Sequence, residues 1–263
     1  MASKVPLEAL LAPGIFETLK VSEGRCLALH RHLDRLVASA HSASPSFRVQ
    51  VDRIRKELLQ EVEGQHLREA TVRLTLVALP EDKTLSFTIM KPPRKIPVRF
   101  FQKGISVETT ATRRNALASL SGEIKAKEFH NGLLSVFEGL GRKKIFERIT
   151  LTQQGYVCEG TITNLFILKG RELATPPSYL GVLAGVTRSL VLELGERLGL
   201  ETMERPFTRF ELYTAEEAFL TNTSLGILPV TKADGRVIGD GKVGPGTKRV
   251  REAYADAVSR KNI

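Results

Sequence analysis

Apolar positions along the chain change period several times, and each change marks an element. Two short apolar runs, Ile15 to Val21 and Arg25 to Leu29, flank Ser22-Glu-Gly24, and that turn signal predicts a β-hairpin. From about His32 to Ser42, Leu33, Leu36, Val37 and Ala40 recur at helical spacing, and Ile54, Leu58 and Val62 repeat the pattern over Val51 to Val62. Ala70 to Ala78 alternates instead, with Val72, Leu74 and Leu76 on one face and Arg73 and Thr75 on the other. Leu85 to Met90 reads as its antiparallel partner across Pro80-Glu-Asp-Lys83. Three prolines in Lys91-Pro-Pro-Arg-Lys-Ile-Pro97 remove ladder donors, so that stretch is expected to connect elements, with a strand resuming at Ile105. Further on, the pattern predicts a helix from about Asn131 to Phe146 and paired strands around Gln153-Gln-Gly155. A helix from Thr187 to Leu198, ended by Gly199, and a strand from Glu217 to Thr221 follow.

These elements make an α+β chain of 263 residues, 42% of them hydrophobic, enough for one large domain or two moderate ones. A hinge is expected near Thr112 to Ser121, dividing a smaller N-terminal α/β domain, residues 1–115, from a larger C-terminal one, residues 116–263. A cofactor between two such domains is a common arrangement. No apolar run approaches the roughly 18 to 20 residues that cross a bilayer, and Met1 to Pro6 lacks the apolar core of a secretory signal. The expectation is therefore a cytoplasmic protein with no membrane partner, and with Cys26 and Cys158 as reduced, buried thiols. Neither cysteine has metal-ligand company, and no metal is expected.

The formal charge of +10 raises nucleic acid as a partner, because clustered Lys and Arg neutralise phosphates. Distribution argues against it. Basic residues are scattered through Lys91 to Lys95, Arg113-Arg114 and Arg142 to Lys144, without aromatic interleaving and without any tryptophan for base stacking. They read as a solvated surface that attracts anionic metabolites.

The chemistry begins at Tyr156-Val-Cys-Glu-Gly-Thr-Ile-Thr-Asn-Leu-Phe166, where one carboxylate, Glu159, sits between an apolar strand and a small-residue turn. Most such carboxylates are solvated. Here the run Val157-Cys-Glu-Gly-x-x-x-Asn164-Leu-Phe resembles the glutamate motif of the class IV aminotransferases, the fold-type IV enzymes of pyridoxal 5′-phosphate. That family includes branched-chain and D-amino-acid aminotransferases and 4-amino-4-deoxychorismate lyase. Further segments match in the family's order: Gly14-Ile-Phe-Glu-Thr18, His32-Leu-x-Arg-Leu-x-x-Ser-Ala40, Ile124-Lys125, Leu183-Ala-Gly-Val-Thr-Arg188 and Phe219 to Pro229, closing with Asp234-Gly-Arg and Ile238-Gly-Asp-Gly. The resemblance spans about residues 14 to 250.

What it implies is a two-domain fold-type IV enzyme whose C-terminal domain holds a pseudobarrel, working as a homodimer on an amino acid and a 2-oxo acid. Lys125 would form the Schiff base and shuttle the proton. Lys127 would point to the same face of a strand and is its rival, a choice that bare chemistry leaves open. Glu159 would meet the pyridine nitrogen. Gly185, Val186 and Thr187 precede an apolar-periodic helix and would offer backbone N–H groups to the phosphate. Arg35 and Thr223 would bind the same phosphate, and Ser224 and Leu225 the substrate; Arg73, which points opposite the apolar face of its strand, is a candidate for a substrate carboxylate.

The chain departs from the family pattern in a short N-terminal segment, in Ala126-Lys-Glu-Phe-His-Asn131 after the lysine, and in Leu79-Pro80 where D-amino-acid transaminases and lyases carry Arg-Gly. His130 stands near the place of the missing tyrosine. Aminotransfer is the first expectation. Aminodeoxychorismate lyase, which forms 4-aminobenzoate and pyruvate, is the alternative, and a non-catalytic binding protein on the same scaffold is the second.

Overall fold

Alternation in the first hundred residues does form a sheet. The computed structural model describes residues 14–44, 48–79, 83–93, 95–114, 124–126 and 145–259. Its contacts fall into two units, Met1–Arg94 with Ile124–Phe129, and Lys95–Glu123 with His130–Ile263.

In the first unit, β1 (Gly14–Ser22), β2 (Arg25–Cys26), β3 (Glu69–Leu79) and β4 (Lys83–Lys91) form an antiparallel sheet of order β2-β1-β3-β4. The long pair is β1 with β3, in register from Gly14↔Val77 to Ser22↔Glu69. One face buries Ile15, Leu19 and Val21 with Val72, Leu74 and Leu76. Two helices cover it: α1 (Leu29–Ala43) supplies Leu33, Leu36 and Ala40, and α2 (Val51–Gly64) supplies Ile54, Leu58 and Val62. Each such side chain contributes about 1.5–3 kcal/mol when fully buried, so the helical spacing read from the sequence is what joins the helices to the sheet. The first helix starts three residues earlier than expected, because Ala28 takes a left-handed conformation (φ 49°) that turns the chain out of the hairpin. That early start also limits β2 to two residues.

The second unit holds a mixed sheet of order β10-β9-β8-β11-β12-β5-β6-β7, with a short β13 on β12. Its strands are β5 (Ile105–Arg113), β6 (Glu147–Leu151), β7 (Val157–Gly160), β8 (Asn164–Lys169), β9 (Glu172–Thr175), β10 (Glu201–Glu204), β11 (Glu217–Asn222), β12 (Gly226–Ala233) and β13 (Arg236–Val237). The described helices are α3 (Val98–Lys103), α4 (Val186–Arg197), α5 (Arg209–Thr214) and α6 (Pro245–Ser259). Strand β8 is buried on both faces, and its apolar run reflects that. Leu165 and Ile167 join a core with Leu220, Leu228 and Val230, while Phe166 and Leu168 join Phe219, Val191 of α4 and Val250 of α6. Phe166 and Phe219 stack with ring centres 5.1 Å apart.

Strand β5 runs parallel to both β12 and β6, which places Lys95 to Arg114 in the second unit although the sequence suggested a division at 115/116. Residues 92–93 and 95–97 are outside any element, as the prolines require, but Val98–Lys103 forms a helix that the sequence pattern did not predict. The helix expected over Asn131 to Phe146 lies outside the described residues apart from Ile145 and Phe146. Those two are extended into β6, with the Phe146 N–H donating to Ser106 O.

Candidate active site

In the first unit, the Lys125 segment is pinned to β1 by its backbone. Its carbonyl accepts the Phe16 N–H at 2.9 Å, and Ala126 bridges Ile15 in antiparallel fashion. The Lys125 N–H donates to Ser39 Oγ of α1 at 3.4 Å. Its Nζ lies 5.2 Å from the centre of the Phe16 ring, and the Arg73 guanidinium carbon lies 3.8 Å from the same centre. Phe16 thus gathers Lys125 and Arg73 on the face of β1 opposite the helices. Burial lowers the pKa of Arg73, which is half-buried. Lys127 and His130 lie outside the described residues.

Arg35, expected at the phosphate, makes a two-pronged ion pair inside the same unit. Its Nε donates to Glu17 Oε1 and its Nη2 to Glu17 Oε2, both at 2.7 Å. His32 Nδ1 lies 2.7 Å from the same Oε2. Glu17 has no exposed surface, and desolvation alone would push its pKa up. The hydrogen bonds of His32 and Arg35 outweigh that and lower it to about 2. For His32 burial dominates and lowers the pKa, so the neutral ring with the proton on Nδ1 is the form that donates to Glu17.

In the second unit, Glu159 lies on β7 with 5% of its surface exposed. Its Oε1 is 2.9 Å from Arg114 Nη2, and its Oε2 accepts Asn164 Nδ2 at 3.0 Å and the Leu183 N–H at 3.1 Å. Arg114 is held in turn by the Gly181 carbonyl through Nε at 2.7 Å. Asn164 Nδ2 also donates to Leu183 O at 2.9 Å. Next to it, Gly185 caps α4 without any side-chain hydrogen bond. A Cβ at Gly185 would stand 2.0 Å from Asn164 Oδ1. Only glycine lets the start of α4 lie against the amide that holds Glu159. The Thr187 side chain is buried, and the Tyr254 ring of α6 lies 3.3 Å from where a Gly226 Cβ would be.

Thr223, Ser224 and Leu225 form the turn between β11 and β12. Thr223 and Ser224 are part-exposed. Leu225 is packed in the core, and its N–H donates to Asn222 Oδ1 at 2.7 Å. Thr221 Oγ1, one strand position before Asn222, is buried and has no hydrogen-bond partner among the described residues.

The family model of amino-transferase class IV matches residues 14–233. The chain belongs to that family. This class IV aminotransferase is 30% identical over 262 residues to a branched-chain-amino-acid aminotransferase of Pseudomonas aeruginosa, covering 94% of this chain and 85% of that one. It is 28% identical over 267 residues to a D-alanine aminotransferase of Bacillus licheniformis, covering 93% and 87%. Among solved structures, the T.th. branched-chain amino acid aminotransferase complexed with N-(5′-phosphopyridoxyl)-L-glutamate superposes with a TM-score of 0.87. It is 25% identical, with 98% and 92% of the two chains covered. Two sheets, one per unit, with flanking helices are the fold-type IV arrangement that the sequence suggested.

Three residues that contact the expected site residues within each unit were not legible from the sequence. Arg114, expected on a solvated basic surface, is instead 3% exposed and ion-paired to Glu159. Glu17 carried a signal: alternation in Ile15-Phe-Glu-Thr-Leu-Lys-Val21 puts it on the inward face with Ile15, Leu19 and Val21. Tyr254 carried none that separates it from an ordinary helix residue. A cavity of about 640 Å³ around Tyr213, Asp234 and Arg236 holds none of the expected site residues. It opens at the far end of β12 from the Thr223–Leu225 turn, about 25 Å along an eight-residue strand.

Proposed function

We propose that this class IV aminotransferase binds pyridoxal 5′-phosphate and moves an amino group between an aliphatic 2-amino acid and a 2-oxo acid. The observation that carries the reading is the Glu159 carboxylate, a buried acid oriented by Arg114, Asn164 and the Leu183 N–H from three separate segments. An acceptor fixed in this way suits a ring N–H that must stay bonded as charge develops.

The donor set of the second unit fits the cofactor's phosphate. The first turn of α4 has no acidic residue and no side-chain cap, and its first intrahelical bond is that of the Ser189 N–H, so the N–H groups of Val186 and Thr187 face outward. The Thr221 hydroxyl, without a hydrogen-bond partner among the described residues, lies on β11, against which α4 packs, and Thr223 opens the turn after that strand. When bound, the cofactor supplies an electron sink for the Cα carbanion.

This chain's residues then divide the work. Lys125 Nζ would carry the proton between Cα of the amino acid and C4′ of the cofactor, in opposite directions in the two half-reactions. Glu159 accepts the pyridine N–H. Arg35, Val186, Thr187 and Thr223 bind phosphate, and Arg73 and Ser224 bind the substrate carboxylate. The aliphatic substrate class follows the branched-chain and D-alanine relatives. A homodimer belongs to the same reading and rests on the resemblance, while the cytoplasm is the expectation drawn from the sequence's lack of a long apolar run. Among the described residues no helix is long and apolar enough to cross a membrane.

The test is a panel of L- and D-amino acids offered with and without a 2-oxo acid. Loss of donor amine only when the 2-oxo acid is present supports transfer. Pyruvate released from aminodeoxychorismate without an acceptor would contradict it and identify the lyase.

A further inference from the structure

The inward face of β1 is apolar except at Glu17. The buried residues are Ile15, Glu17, Leu19 and Val21, and their neighbours in the core are leucine, isoleucine, valine and alanine. A carboxylate there is expensive unless it is paired and hydrogen-bonded. Glu17 meets that condition with three close contacts, Arg35 Nε, Arg35 Nη2 and His32 Nδ1, each at 2.7 Å. His32 and Arg35 are three residues apart on α1 and therefore share one face of the helix.

The geometry restrains Arg35 more than a charge pair needs. A guanidinium is planar, and a two-pronged carboxylate contact through Nε and Nη2 fixes both its position and its plane. The other N–H groups, on Nη1 and the second Nη2 hydrogen, are then directed away from Glu17. His32 fixes the carboxylate from the side, so the orientation of Arg35 depends on both partners. The same strand reaches Lys125, because the Phe16 N–H, next to Glu17, donates to the Lys125 carbonyl at 2.9 Å.

We propose that Glu17 and His32 are positioning residues for Arg35, holding its guanidinium in the one orientation in which it binds the cofactor's phosphate. This rests on the reading that Arg35 meets that phosphate. Charge alone predicts the opposite sign. Removing the negative charge of Glu17 would leave Arg35 more positive towards an anion and tighten binding, whereas loss of orientation weakens it.

The test uses the full-length holoenzyme. Retention of pyridoxal phosphate is measured by equilibrium dialysis, and displacement by inorganic phosphate serves as a second readout. Arg35→Ala is expected to raise the cofactor Kd at least tenfold. Glu17→Gln should raise it by a similar factor, and the double variant should be no weaker than Arg35→Ala alone, because the two residues act as one unit. His32→Leu should weaken retention, and His32→Asn, which can keep a donor near the Nδ1 position, should restore most of it. That conservative rescue separates positioning from general loss of packing, and the His32 pair carries the test if Glu17→Gln does not fold.

Unchanged or tighter retention in Glu17→Gln, with Arg35→Ala weakened, overturns the positioning role and leaves the phosphate reading of Arg35 standing. Equal loss in His32→Leu and His32→Asn also overturns it. Unchanged retention in Arg35→Ala removes the phosphate reading itself and the proposal with it.

Discussion

Gly185→Ala probes the link between the start of α4 and the carboxylate of Glu159. The backbone at Gly185, φ −68° and ψ 134°, is open to any L-residue, so alanine carries no conformational penalty there. The cost is steric. The new Cβ would lie 2.0 Å from Asn164 Oδ1, 3.2 Å from its Cγ and 3.3 Å from Arg188 Cβ. Asn164 has to withdraw by more than an ångström, and in doing so it gives up its bonds to Glu159 Oε2 at 3.0 Å and Leu183 O at 2.9 Å. The first, to a charged group, contributes about 1.5–3 kcal/mol and the second about 0.5–1.5 kcal/mol. Destabilisation of about 2–4 kcal/mol follows. At about 2–4 °C per kcal/mol for a unit of this size, Tm should fall by roughly 5–15 °C. The assay is thermal unfolding of the single variants Gly185→Ala and Asn164→Ala and of the pair. With Asn164 truncated the clash is gone, so adding Gly185→Ala should cost less than about 0.5 kcal/mol, a strongly non-additive cycle. Equal cost of Gly185→Ala in both backgrounds would refute the steric argument.

Three further outcomes follow from the buried charges and thiol. Glu17 has its pKa lowered from 4.5 to about 2, so its contribution is fully present above pH 4.5 and is lost as pH falls towards 2. That contribution is about 3 kcal/mol, and melting curves between pH 6 and pH 2.5 should show this loss in the wild type and a flatter profile in Glu17→Gln. Arg114→Ala leaves the Glu159 carboxylate without its 2.9 Å cation partner and should cost about 3–5 kcal/mol, read as a lower urea midpoint; an unchanged midpoint would contradict the pairing. Burial first, and Glu159 beside it, push the Cys158 thiol up to about 12, while burial pushes Cys26 up to about 11. Neither cysteine of the folded protein should therefore be alkylated rapidly at pH 8, whereas both should react in denaturant.

Much of the local structure was legible because the core selects it directly. The alternation of β3 and the helical stripes of α1 and α2 are the surfaces that pack together, so periodicity and fold report the same contacts. The Glu159 motif was legible because Asn164, five residues on, is its hydrogen-bond partner. What stayed hidden depends on contacts distant in sequence. Arg114 looks like any basic residue until β5 pairs with β12, more than a hundred residues away, and carries it into the core beside Glu159. The early start of α1 turns on one left-handed alanine, Ala28, which no propensity favours. Helix α3 is only six residues long with no residue buried, too short for a period to show. Arg35 was expected at a phosphate, and its pairing with Glu17 required knowing that an acid faces inward from β1.

In the proposed function Lys125 is the amine that carries the cofactor. Borohydride reduction of the protein incubated with pyridoxal 5′-phosphate, followed by peptide mapping, tests it most directly. A phosphopyridoxyl adduct on Lys125, lost in Lys125→Ala, is the expected result. An adduct on Lys127 or another lysine, or no adduct at all, would contradict it.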